Sequence, residues 1–582
     1  MNVLGLSCSF WHDPAAALVI DGDVVAAVEQ ERLSRRKHAP NELPVEAARF
    51  CLDAAGLRAS DLDAVANPWS FDAVRANRLA YVRRALGRRP KKALSILYRG
   101  GRQASFRQGK FERALSVLGV DPRRTEAVAV EHHLAHAASG ALFSGFGDCA
   151  IASIDGEGEL TTCLFAELRD GRIHKRHEIQ KPDSLGLFYA SITDYLGFEV
   201  NDGEFRVMGM ASYGDPSKAD LSGIVRVDGG DLRLDTDFVW APRHLRFEDR
   251  SFGRALVKRL GPPRAGDEID EPYVHVAAAA QRVLEEATIA LIEHHLADVL
   301  RRTKRLVLVG GVGLNVALNR RLLEHPLVDA LFVPPNPGDA GTALGAAALV
   351  AAGRGDRIAP LSHAYLGPGF TTKQVREELD GLRIPYAVVD DAAERAARLL
   401  AAGEVVAWFQ GRAEWGPRAL GDRSILGHPG VRGTADDINA RIKYRERWRP
   451  FCPSVLAERA EEFLGSRHPS PFMTLSFRVP EAWRARTPEV VHVDGTVRPQ
   501  VVTRAANPRY HALLGAFERR TGLPCVINTS MNRRGEPMVT SPRDALAMFY
   551  GSGLEHLFLE DVYVAKSPAA AARAAASLEV AP

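Results

Sequence analysis

Two histidines four residues apart, His132 and His136, could bind one metal ion. Their segment is predicted to be helical, and residues at this spacing project from the same face of a helix. Asp155, which ends the next predicted strand, and Asp339, which precedes a predicted helix, would complete a set of two imidazoles and two carboxylates. Such a mixed nitrogen and oxygen set suits Fe, Mn or Zn, and an open coordination position would admit a phosphate oxygen.

The same residues allow a simpler interpretation. The HxxxH spacing fits a hydrogen-bonded structural histidine pair equally well, and the glutamate of the zinc-protease HExxH motif is absent. The sequence alone does not bring the histidines and the aspartates together. The metal-site hypothesis therefore also requires a fold that brings these four residues together.

Arginines among glycines and prolines in the last third of the chain indicate an anion-binding site. Glycine lets the backbone approach a ligand closely, and arginine grips oxyanions with two parallel hydrogen bonds. The alternative is a set of solvated surface charges, which are more typical of polar helix faces than of mixed apolar segments. The segments concerned are 411–424, 439–451, 492–499 and 528–532.

The elements that must position these residues recur along the chain. Residues 3–28 are predicted to form a strand, a polar turn, a second strand, an Asp-Gly hairpin and a third strand. The same pattern returns in the second quarter of the chain. The hairpins carry Asp21-Gly22 and Asp170-Gly171. The repetition favours a duplicated α/β lobe, the architecture of actin-like and sugar-kinase-like ATPases, over two unrelated hairpins.

The segment 304–315 is an apolar strand that runs into glycines and then into a helix. In such a turn, backbone N–H groups can approach the phosphates of a nucleotide. The glycine pattern alone is a weak indication, so nucleotide binding here is one interpretation among several.

Length and composition limit the class of protein. A chain of 582 residues is too long to fold around a single hydrophobic core. We expect domains at 1–355 and 373–566, a linker at 356–372 and an Ala-rich tail at 567–582. The net charge of +3, the lack of a long apolar run and the scattered cysteines predict a cytoplasmic protein without a nucleic-acid or membrane partner. The sequence leaves a homodimer open.

Residues 71–113 hold thirteen lysines or arginines and only two acids. We interpret this basic segment as a solvated helical insertion. A basic wall for an acidic substrate or partner is the alternative. Nucleic-acid binding ranks last, because the aromatic residues of the segment fit the apolar faces of helices equally well.

Several motifs, spread in order over nearly the whole chain, resemble those of the nodulation-factor and antibiotic O-carbamoyltransferase family. They lie at residues 12–22, 131–136, 155–159, 310–312 and 338–341. The resemblance implies an N-terminal domain similar to the tRNA threonylcarbamoyl-transfer ATPase-like fold. It also implies a C-terminal α/β domain similar to threonylcarbamoyl-AMP synthase.

The resemblance further implies roles for residues of the N-terminal domain. The ligands of one divalent transition metal, expected as Fe(II), would be His132, His136, Asp155 and Asp339. This metal would hold the phosphates of a carbamoyl-adenylate. His12 is the candidate catalytic base for the acceptor hydroxyl, with orientation of the phosphate as its alternative role. The nucleotide would contact Gly156, Gly158, Gly310, Gly311, Val312 and Asn315.

Two positions depart from the family pattern. Ala15 stands where the family often has serine, so a hydroxyl group is missing from the first turn. Arg206 stands where the family usually has lysine, which keeps the charge but changes its geometry. Neither position is an expected metal ligand.

In the C-terminal domain, Lys443-x-Arg445 and Ser530-x-Asn532 resemble the signature of carbamoyl-adenylate-forming domains. By this resemblance, Arg418 and Lys443 would be catalytic. The residues that would hold carbamoyl phosphate and the ATP phosphates are Arg418, Lys443, Arg498 and Ser530, with Arg423, Arg445, Arg449 and Asn532 as additions.

The resemblance implies a reaction of carbamoyl phosphate and ATP, accompanied by Mg²⁺, with a hydroxyl of a small molecule such as an antibiotic or another natural product. Carbamate would attack the α-phosphorus of ATP to give carbamoyl-adenylate and pyrophosphate, and the carbamoyl group would then pass to the acceptor. The alternatives are a sugar kinase, a nucleotide-binding regulatory module, and carbamoylation of a macromolecule as in hydrogenase maturation. The CxxC zinc motifs of the hydrogenase-maturation relative are absent from this sequence.

Overall fold

The computed structural model describes residues 1–8, 12–87, 90–99, 102–266 and 268–579. They form two compact units, which are Met1–Gln30 with Pro40–Leu361 and Glu31–Ala39 with Ser362–Pro582. The division after Leu361 falls within the segment expected as a linker. Glu31–Ala39, expected in the first domain, instead belongs to the second unit.

Hydrogen bonds to backbone carbonyls explain why Glu31–Ala39 belongs to the second unit. Arg32 Nη2 donates to the carbonyl of Gly416 at 2.6 Å. Arg35 donates to the carbonyls of Met538 at 2.6 Å and Pro537 at 3.0 Å. Sequence periodicity does not predict such contacts, because each arginine pairs with a carbonyl hundreds of residues away.

The first unit contains twelve strands among the described residues. They are β1 (Asn2–Ser7), β2 (Ala15–Ile20), β3 (Asp23–Glu29), β4 (Ala64–Asn67), β5 (Glu126–Ala129), β6 (Cys149–Ile154), β7 (Thr161–Arg169), β8 (Arg172–Gln180), β9 (Val225–Asp228), β10 (Asp231–Leu234), β11 (Arg305–Val309) and β12 (Ala330–Phe332). The helices from the start of the chain to the end of this unit are α1 (Gln30–Ser34), α2 (Val45–Ala54), α3 (Phe71–Ala85), α4 (Pro90–Arg99), α5 (Arg102–Leu118), α6 (His132–Ala141), α7 (Leu185–Tyr195), α8 (Glu204–Ala211), α9 (Arg254–Leu260), α10 (Tyr273–Thr303), α11 (Val316–Leu323) and α12 (Gly341–Gly353).

Two five-stranded sheets of the first unit have the same topology. Their strand orders are β3-β2-β1-β4-β5 and β8-β7-β6-β11-β12. In each sheet the first three strands in sequence pair antiparallel, and the last two continue the sheet in parallel. The predicted duplication of an α/β lobe is therefore confirmed.

The two lobes also share their hairpin. Asp21 and Gly22 join β2 to β3 with φ angles of 50° and 89°, and Asp170 and Gly171 join β7 to β8 with 51° and 73°. Two consecutive left-handed residues are what a tight hairpin between twisted strands requires, and Asp-Gly adopts them readily. The local sequence thus determines the same turn twice.

Helix α12, which follows the last strand of the second lobe, packs closely against the first lobe. A Cβ on Gly5 of β1 would lie 1.8 Å from the carbonyl oxygen of Ala343, and a Cβ on Gly345 would lie 1.8 Å from that of Ala135. The backbone of α12 is therefore in direct contact with β1 and with α6. Because α6 follows β5 and α12 follows β12, the equivalent helices of the two lobes pack on each other.

The basic segment contains α3, α4 and most of α5, and its residues 88, 89, 100 and 101 lie outside the described part of the chain. Tyr81, Ala85 and Ala93 pack with Leu160 in a small apolar core. Arg84 pairs with the buried Asp183 at 2.7 Å. The described apolar residues thus attach these helices to the first unit.

The second unit contains twelve further strands among the described residues. They are β13 (Tyr365–Gly369), β14 (Ala387–Val388), β15 (Val406–Phe409), β16 (Arg412–Glu414), β17 (Arg423–Gly427), β18 (Cys452–Leu456), β19 (Phe477–Arg478), β20 (Thr496–Val497), β21 (Gln500–Val502), β22 (Cys525–Ser530), β23 (His556–Leu559) and β24 (Val562–Ala565). Its helices are α13 (Thr372–Gly381), α14 (Ala392–Ala401), α15 (Thr434–Ile438), α16 (Ala460–Leu464), α17 (Glu481–Arg484), α18 (Pro508–Thr521), α19 (Pro542–Tyr550) and α20 (Pro568–Glu579), the last in the Ala-rich tail.

An eight-stranded mixed sheet organises the second unit, in the order β14-β24-β23-β15-β17-β22-β18-β21. Phe409, Ile425, Ile527 and Leu557, from four neighbouring strands, are fully buried in its apolar core. The predicted second α/β domain is therefore confirmed. Of the helices that the structure describes, none combines the length and apolar character needed to cross a membrane.

Candidate active sites

The structure brings His132, His136, Asp155 and Asp339 together. The two histidine Nε2 atoms lie 3.1 Å apart. Asp155 Oδ2 lies 3.5 Å from the Nε2 of His132 and 3.8 Å from that of His136, and Asp339 Oδ1 lies 3.5 and 3.7 Å from the same atoms. One atom from each side chain therefore faces a common point.

The duplicated fold explains this convergence. His132 is the first residue of α6, and Asp339 precedes α12, the equivalent helix of the other lobe. Asp155 follows β6, whose parallel neighbours are β11 and then β12. Because the carboxyl ends of parallel strands meet at one edge, the loops after β6, β11 and β12 lie together.

Charge balance holds the four side chains in place. Burial lowers the pKa of His132, but hydrogen bonds and charges of Asp155 and Asp339 outweigh it and raise that pKa to about 10. Burial acts in the opposite direction on the carboxyls, yet the histidines keep the pKa of Asp155 and of Asp339 below the usual range. Cations and anions thus compensate one another in a buried site.

The donor set fits a transition metal. Bonds of about 2.1 Å in a tetrahedral site place neighbouring ligands about 3.4 Å apart, close to the separations of 3.1–3.8 Å between the histidine nitrogens and their partners. Both imidazoles also offer the Nε2 atom to the same point. The second nitrogen of His132, Nδ1, lies 3.4 Å from the carbonyl of Pro68, a contact that can orient the ring.

Backbone groups and a buried glutamate support the site. Gly311 N–H donates to Asp155 Oδ1 at 2.7 Å, so the glycine loop after β11 orients a candidate ligand. Glu159 accepts hydrogen bonds from the backbone N–H groups of His132 and Ser70. The role of Glu159 was not predicted from the sequence. The first N–H groups of a helix have no partner within the helix, and a nearby carboxylate can accept their hydrogen bonds. Glu159, in the turn after β6, could have been identified as a candidate for this role at the start of α6.

His133, which lies between the two candidate ligands in the sequence, is held by hydrogen bonds within the protein core. His133 Nδ1 lies 2.9 Å from Ser153 Oγ, and its Nε2 lies 3.0 Å from the carbonyl of Thr161. Burial and the neighbouring histidines lower the pKa of His133 to about 3. His133 is therefore a neutral, hydrogen-bonded core residue.

The remaining residues expected to contact nucleotide surround the four-residue cluster. Gly156 and Gly158 lie in the turn from β6 to β7, and Gly310, Gly311 and Val312 follow β11. Asn315 begins α11, where its Oδ1 accepts the N–H of Leu318 and its amide pairs with Gln281. The side chain of Asn315 is thus already engaged by the protein.

His12 lies in the turn between β1 and β2, which is equivalent in the other lobe to the turn that begins with Asp155. Its Nδ1 is 2.9 Å from Asp13 Oδ2, and a quarter of its side chain is exposed. It lies outside the group formed by the four candidate ligands. Residues 9–11, directly before it, lie outside the described residues.

In the second unit, a cluster of cations forms around Cys452; we call Arg418, Arg445, Arg449 and Arg498 the arginine cluster. Arg498 donates from Nε and Nη2 to Cys452 Sγ, at 3.2 and 2.9 Å. Burial and then Arg498 lower the pKa of Arg418 to about 9. Burial and then Arg449 lower that of Arg445 to about 9. Like charges are therefore held together in a poorly solvated place.

Lys443, Ser530 and Asn532 also meet, as their motif predicts. Lys443 Nζ donates to the carbonyl and Oγ of Ser530, at 2.7 and 3.2 Å, and to the carbonyl and Oδ1 of Asn532, both at 2.8 Å. Burial, followed by Arg445 and Arg449, holds the pKa of Lys443 well below its usual value. Besides carrying charge, Lys443 shapes the turn after β22.

Arg423 does not join the arginine cluster. Its side chain is fully buried, and its donors reach the carbonyls of Gln410, Asp422, Pro368 and Gly411. Its guanidinium also lies 3.6 Å from the ring centre of Phe409. The expectation that Arg423 binds carbamoyl phosphate or ATP is wrong, because an anion has no open face of this guanidinium to contact.

A buried polar network holds the loop that carries Arg418. Gln500 Nε2 donates to the carbonyl of Leu420 at 2.6 Å, and Asn528 Nδ2 donates to that of Ala419 at 3.2 Å. Ser454 Oγ links the two amides, donating to Gln500 at 2.7 Å and accepting from Asn528 at 2.9 Å. The loop next to Arg418 is thus fixed by three neighbouring strands.

Glu414 completes this support, since its Oε1 accepts the N–H groups of Leu420, Asp422 and Arg423 at 2.8–3.0 Å. The roles of Glu414 and of the three network residues were not predicted from the sequence. A period of two could have identified Ser454 and Asn528, because they lie two positions from Cys452 on β18 and from Ser530 on β22. Residues so spaced share one face of a strand.

Comparisons with known proteins agree with the two-unit division. The family model for the carbamoyltransferase N-terminus matches residues 2–348, and that for the carbamoyltransferase C-terminus matches residues 397–566. Nodulation protein NolNO of Sinorhizobium fredii is 37% identical over 98% of this chain and 81% of its own length. Nodulation protein NolO of Bradyrhizobium diazoefficiens is 38% identical over 76% of this chain and 79% of its own length.

Among solved structures, HypF of T. kodakarensis aligns with a TM-score of 0.33 at 15% identity, over 60% of this chain and 47% of HypF. A similarity this low carries no argument. The two family models and the nodulation proteins do, since together they span nearly all of the chain. This protein belongs to the carbamoyltransferase family.

Proposed function

We propose that the chain is an ATP-dependent O-carbamoyltransferase, which makes carbamoyl-adenylate from carbamoyl phosphate and ATP and transfers the carbamoyl group to a hydroxyl of a small natural product. One observation carries the proposal. Within the described part of the chain, the half-buried guanidinium of Arg418 makes no hydrogen bond or ion pair, although two other arginines, Arg498 and Arg449, lie close enough to lower its pKa. An anionic substrate would supply the missing charge.

The second unit is suited to the first half of this reaction. Hydrolysis of carbamoyl phosphate by one water molecule releases phosphate and leaves carbamate, whose oxygen attacks the α-phosphorus of ATP and displaces pyrophosphate. Arg418 and Arg498 would bind the phosphate, and Lys443 would hold Ser530 and Asn532 against the reacting groups. Fixed cations stabilise negative charge on transferring phosphoryl oxygens without reorganising during the step.

The first unit is suited to the second half. A transition metal held by His132, His136, Asp155 and Asp339, for which Fe(II) is our candidate, would act as a Lewis acid toward a phosphate oxygen. His12 would take the proton of the acceptor hydroxyl, and the oxygen would attack the carbamoyl carbon with AMP as leaving group. Asp13, at 2.9 Å from Nδ1, would orient the ring and stabilise the imidazolium that forms.

The products formed from ATP test this proposal. With carbamoyl phosphate present, pyrophosphate and AMP should accumulate, because attack takes place at the α-phosphorus. Pyrophosphate and ADP are assayed in the same reaction, with a control that lacks carbamoyl phosphate. ADP as the dominant product would contradict the adenylate route and support a kinase.

A further inference from the structure

Six free cysteines are buried in this chain, and one of them has unusual neighbours. Burial raises the pKa of Cys8, Cys149 and Cys163 to about 12, and it also raises that of Cys525. Buried thiols of this kind are unreactive, because the nucleophile is the thiolate. Cys452, by contrast, lies within the arginine cluster.

The contact between Arg498 and Cys452 resembles the way arginine holds an oxyanion. Two nitrogens of one guanidinium, Nε and Nη2, donate to the same sulfur at 3.2 and 2.9 Å. Arg418 and Arg445 also interact electrostatically with Cys452. The sulfur thus uses donors of Arg498 that a bound phosphate would need.

We propose that Cys452 is a reactive thiol built into the anion site, and that its oxidation by a hydroperoxide reversibly closes that site to carbamoyl phosphate. The proposal rests on the proposed use of the arginine cluster for this substrate. Reactive cysteines lie next to lysine or arginine side chains, and Cys452 meets this condition through its two hydrogen bonds from Arg498. The side chain is 6% exposed, which restricts the reaction to small reagents.

The chemical step is balanced by the peroxide. The Cys452 sulfur attacks one peroxide oxygen, an S–O bond forms, the O–O bond breaks, and water leaves after protonation. Sulfur is oxidised by two electrons and the peroxide is reduced. The sulfenic oxygen then lies in the fork of Arg498, and a small dithiol reductant restores the thiol.

Cys525, the other cysteine of the second unit, is too far from Cys452 to form a disulfide with it. On the paired strands β18 and β22, Cys452 lies opposite Asn528, whereas Cys525 lies opposite Val455, three residues along. Three residues of strand span about 10 Å, which exceeds the reach of a disulfide. Cys525 is therefore the matched control, a buried cysteine of the same sheet without arginine donors.

Labelling of the folded full-length chain tests the reactivity. The protein is treated with limiting iodoacetamide and digested, and all six cysteine peptides are quantified by mass spectrometry. Cys452 should be alkylated at least about tenfold faster than each of the other five, because two arginine N–H donors lie against its sulfur. Inorganic phosphate should slow this labelling. Preferential labelling of another cysteine, or no protection by phosphate, would overturn the proposal.

Inactivation by peroxide tests the consequence. Wild type and Cys525→Ala should lose most carbamoyl-phosphate-dependent pyrophosphate release in hydrogen peroxide and recover it with dithiothreitol. Cys452→Ser and Cys452→Ala should each keep most of their own starting activity under the same treatment. Equal loss in these two variants would overturn the proposal.

The labelling and inactivation experiments distinguish failure of this proposal from failure of the proposed function. Labelling is read from peptide masses and needs no turnover. If untreated wild type releases no pyrophosphate, the proposed function fails while the reactivity of Cys452 is still measured. If pyrophosphate is released but Cys452 does not react first, only the thiol proposal fails.

Discussion

In the first unit two histidines face two aspartates, whereas in the second unit four arginines and a lysine face one another. The first group balances its own charge, and the carboxylates raise the pKa of His132 to about 10. The second group keeps an excess of positive charge, although Arg449 pairs with Glu446 at 3.3 Å, and burial together with Arg498 lowers the pKa of Arg418 to about 9. A metal can replace protons in the first site, while the second site needs an added anion.

This contrast also shows in the supporting structure. The ligands of the first site lie on loops and a helix start that the duplicated lobes bring together. The cations of the second site repel one another, and buried hydrogen bonds hold the Arg418 loop in place, with Glu414 accepting a backbone N–H and the amides of Gln500 and Asn528 donating to carbonyls. Such preorganisation costs stability, which a bound anion can offset.

A large effect on the first half of the reaction is expected at Arg418. Arg418→Ala should lower carbamoyl-phosphate-dependent pyrophosphate release by about 10²–10³-fold, the usual loss for one preorganised charge-stabilising donor. It should leave the free energy of unfolding unchanged or raise it, because it removes one of several like charges. Both quantities are measured, by pyrophosphate assay and by urea unfolding.

Arg447→Ala is the control for this variant, since Arg447 is 79% exposed and pairs with Asp436 on the surface. It should change neither quantity noticeably. A strongly destabilised Arg418→Ala protein would mean that Arg418 serves the fold, and the contrast between the two sites would be lost.

A smaller effect is expected for the metal. The purified protein should hold about one transition-metal ion per chain, as expected for a single four-ligand site. His136→Ala should lower this occupancy, measured by elemental analysis, because it removes one of two nitrogen ligands.

His133→Ala separates ligation from folding. It should lower the free energy of unfolding by about 1–3 kcal/mol, because Ser153 and Thr161 lose their buried partner, yet it should keep the metal. Full occupancy in His136→Ala, or loss of metal in His133→Ala alone, would remove His136 from the proposed ligand set.

The smallest effect is expected in the basic segment. Replacing the exposed Arg75, Arg83 and Lys91 with glutamine should leave the KM for the acceptor unchanged, because we interpret this segment as a solvated insertion. Steady-state kinetics at low and high salt checks this. A large, salt-dependent rise in KM would show that the segment attracts an acidic acceptor.

Much of the first site could be predicted from the sequence because its determinants are local. The Asp-Gly hairpins, the i and i+4 histidines and the aspartates at strand and helix boundaries are each visible in a few residues. The duplicated topology then follows from repetition of the hairpins. What the sequence did not show was the support, such as Glu159 at the start of α6.

The second site was predicted less completely because its geometry depends on contacts distant in sequence. Arg423 and Arg418 lie five residues apart among the same glycines, yet one is enclosed by carbonyls and the other is not. Arg32 donates a hydrogen bond to the carbonyl of Gly416, almost 400 positions away in the sequence. Residue type alone cannot separate a buried structural arginine from one that faces a ligand.

The central claim is that the two units perform two separable reactions. Lys443→Ala should abolish formation of carbamoyl-adenylate, because Ser530 and Asn532 lose the group that holds them. It should still transfer the carbamoyl group from supplied carbamoyl-adenylate to an acceptor. His12→Asn should form the adenylate but carbamoylate the acceptor about 10²–10⁴-fold more slowly, the usual cost of losing a general base.

The most direct measurement is therefore to supply carbamoyl-adenylate and to follow pyrophosphate release and acceptor carbamoylation in both variants and in wild type. The account predicts opposite failures, with Lys443→Ala active only on supplied adenylate and His12→Asn active only in releasing pyrophosphate. A Lys443→Ala protein that cannot use supplied adenylate, or a His12→Asn protein that makes none, would contradict it.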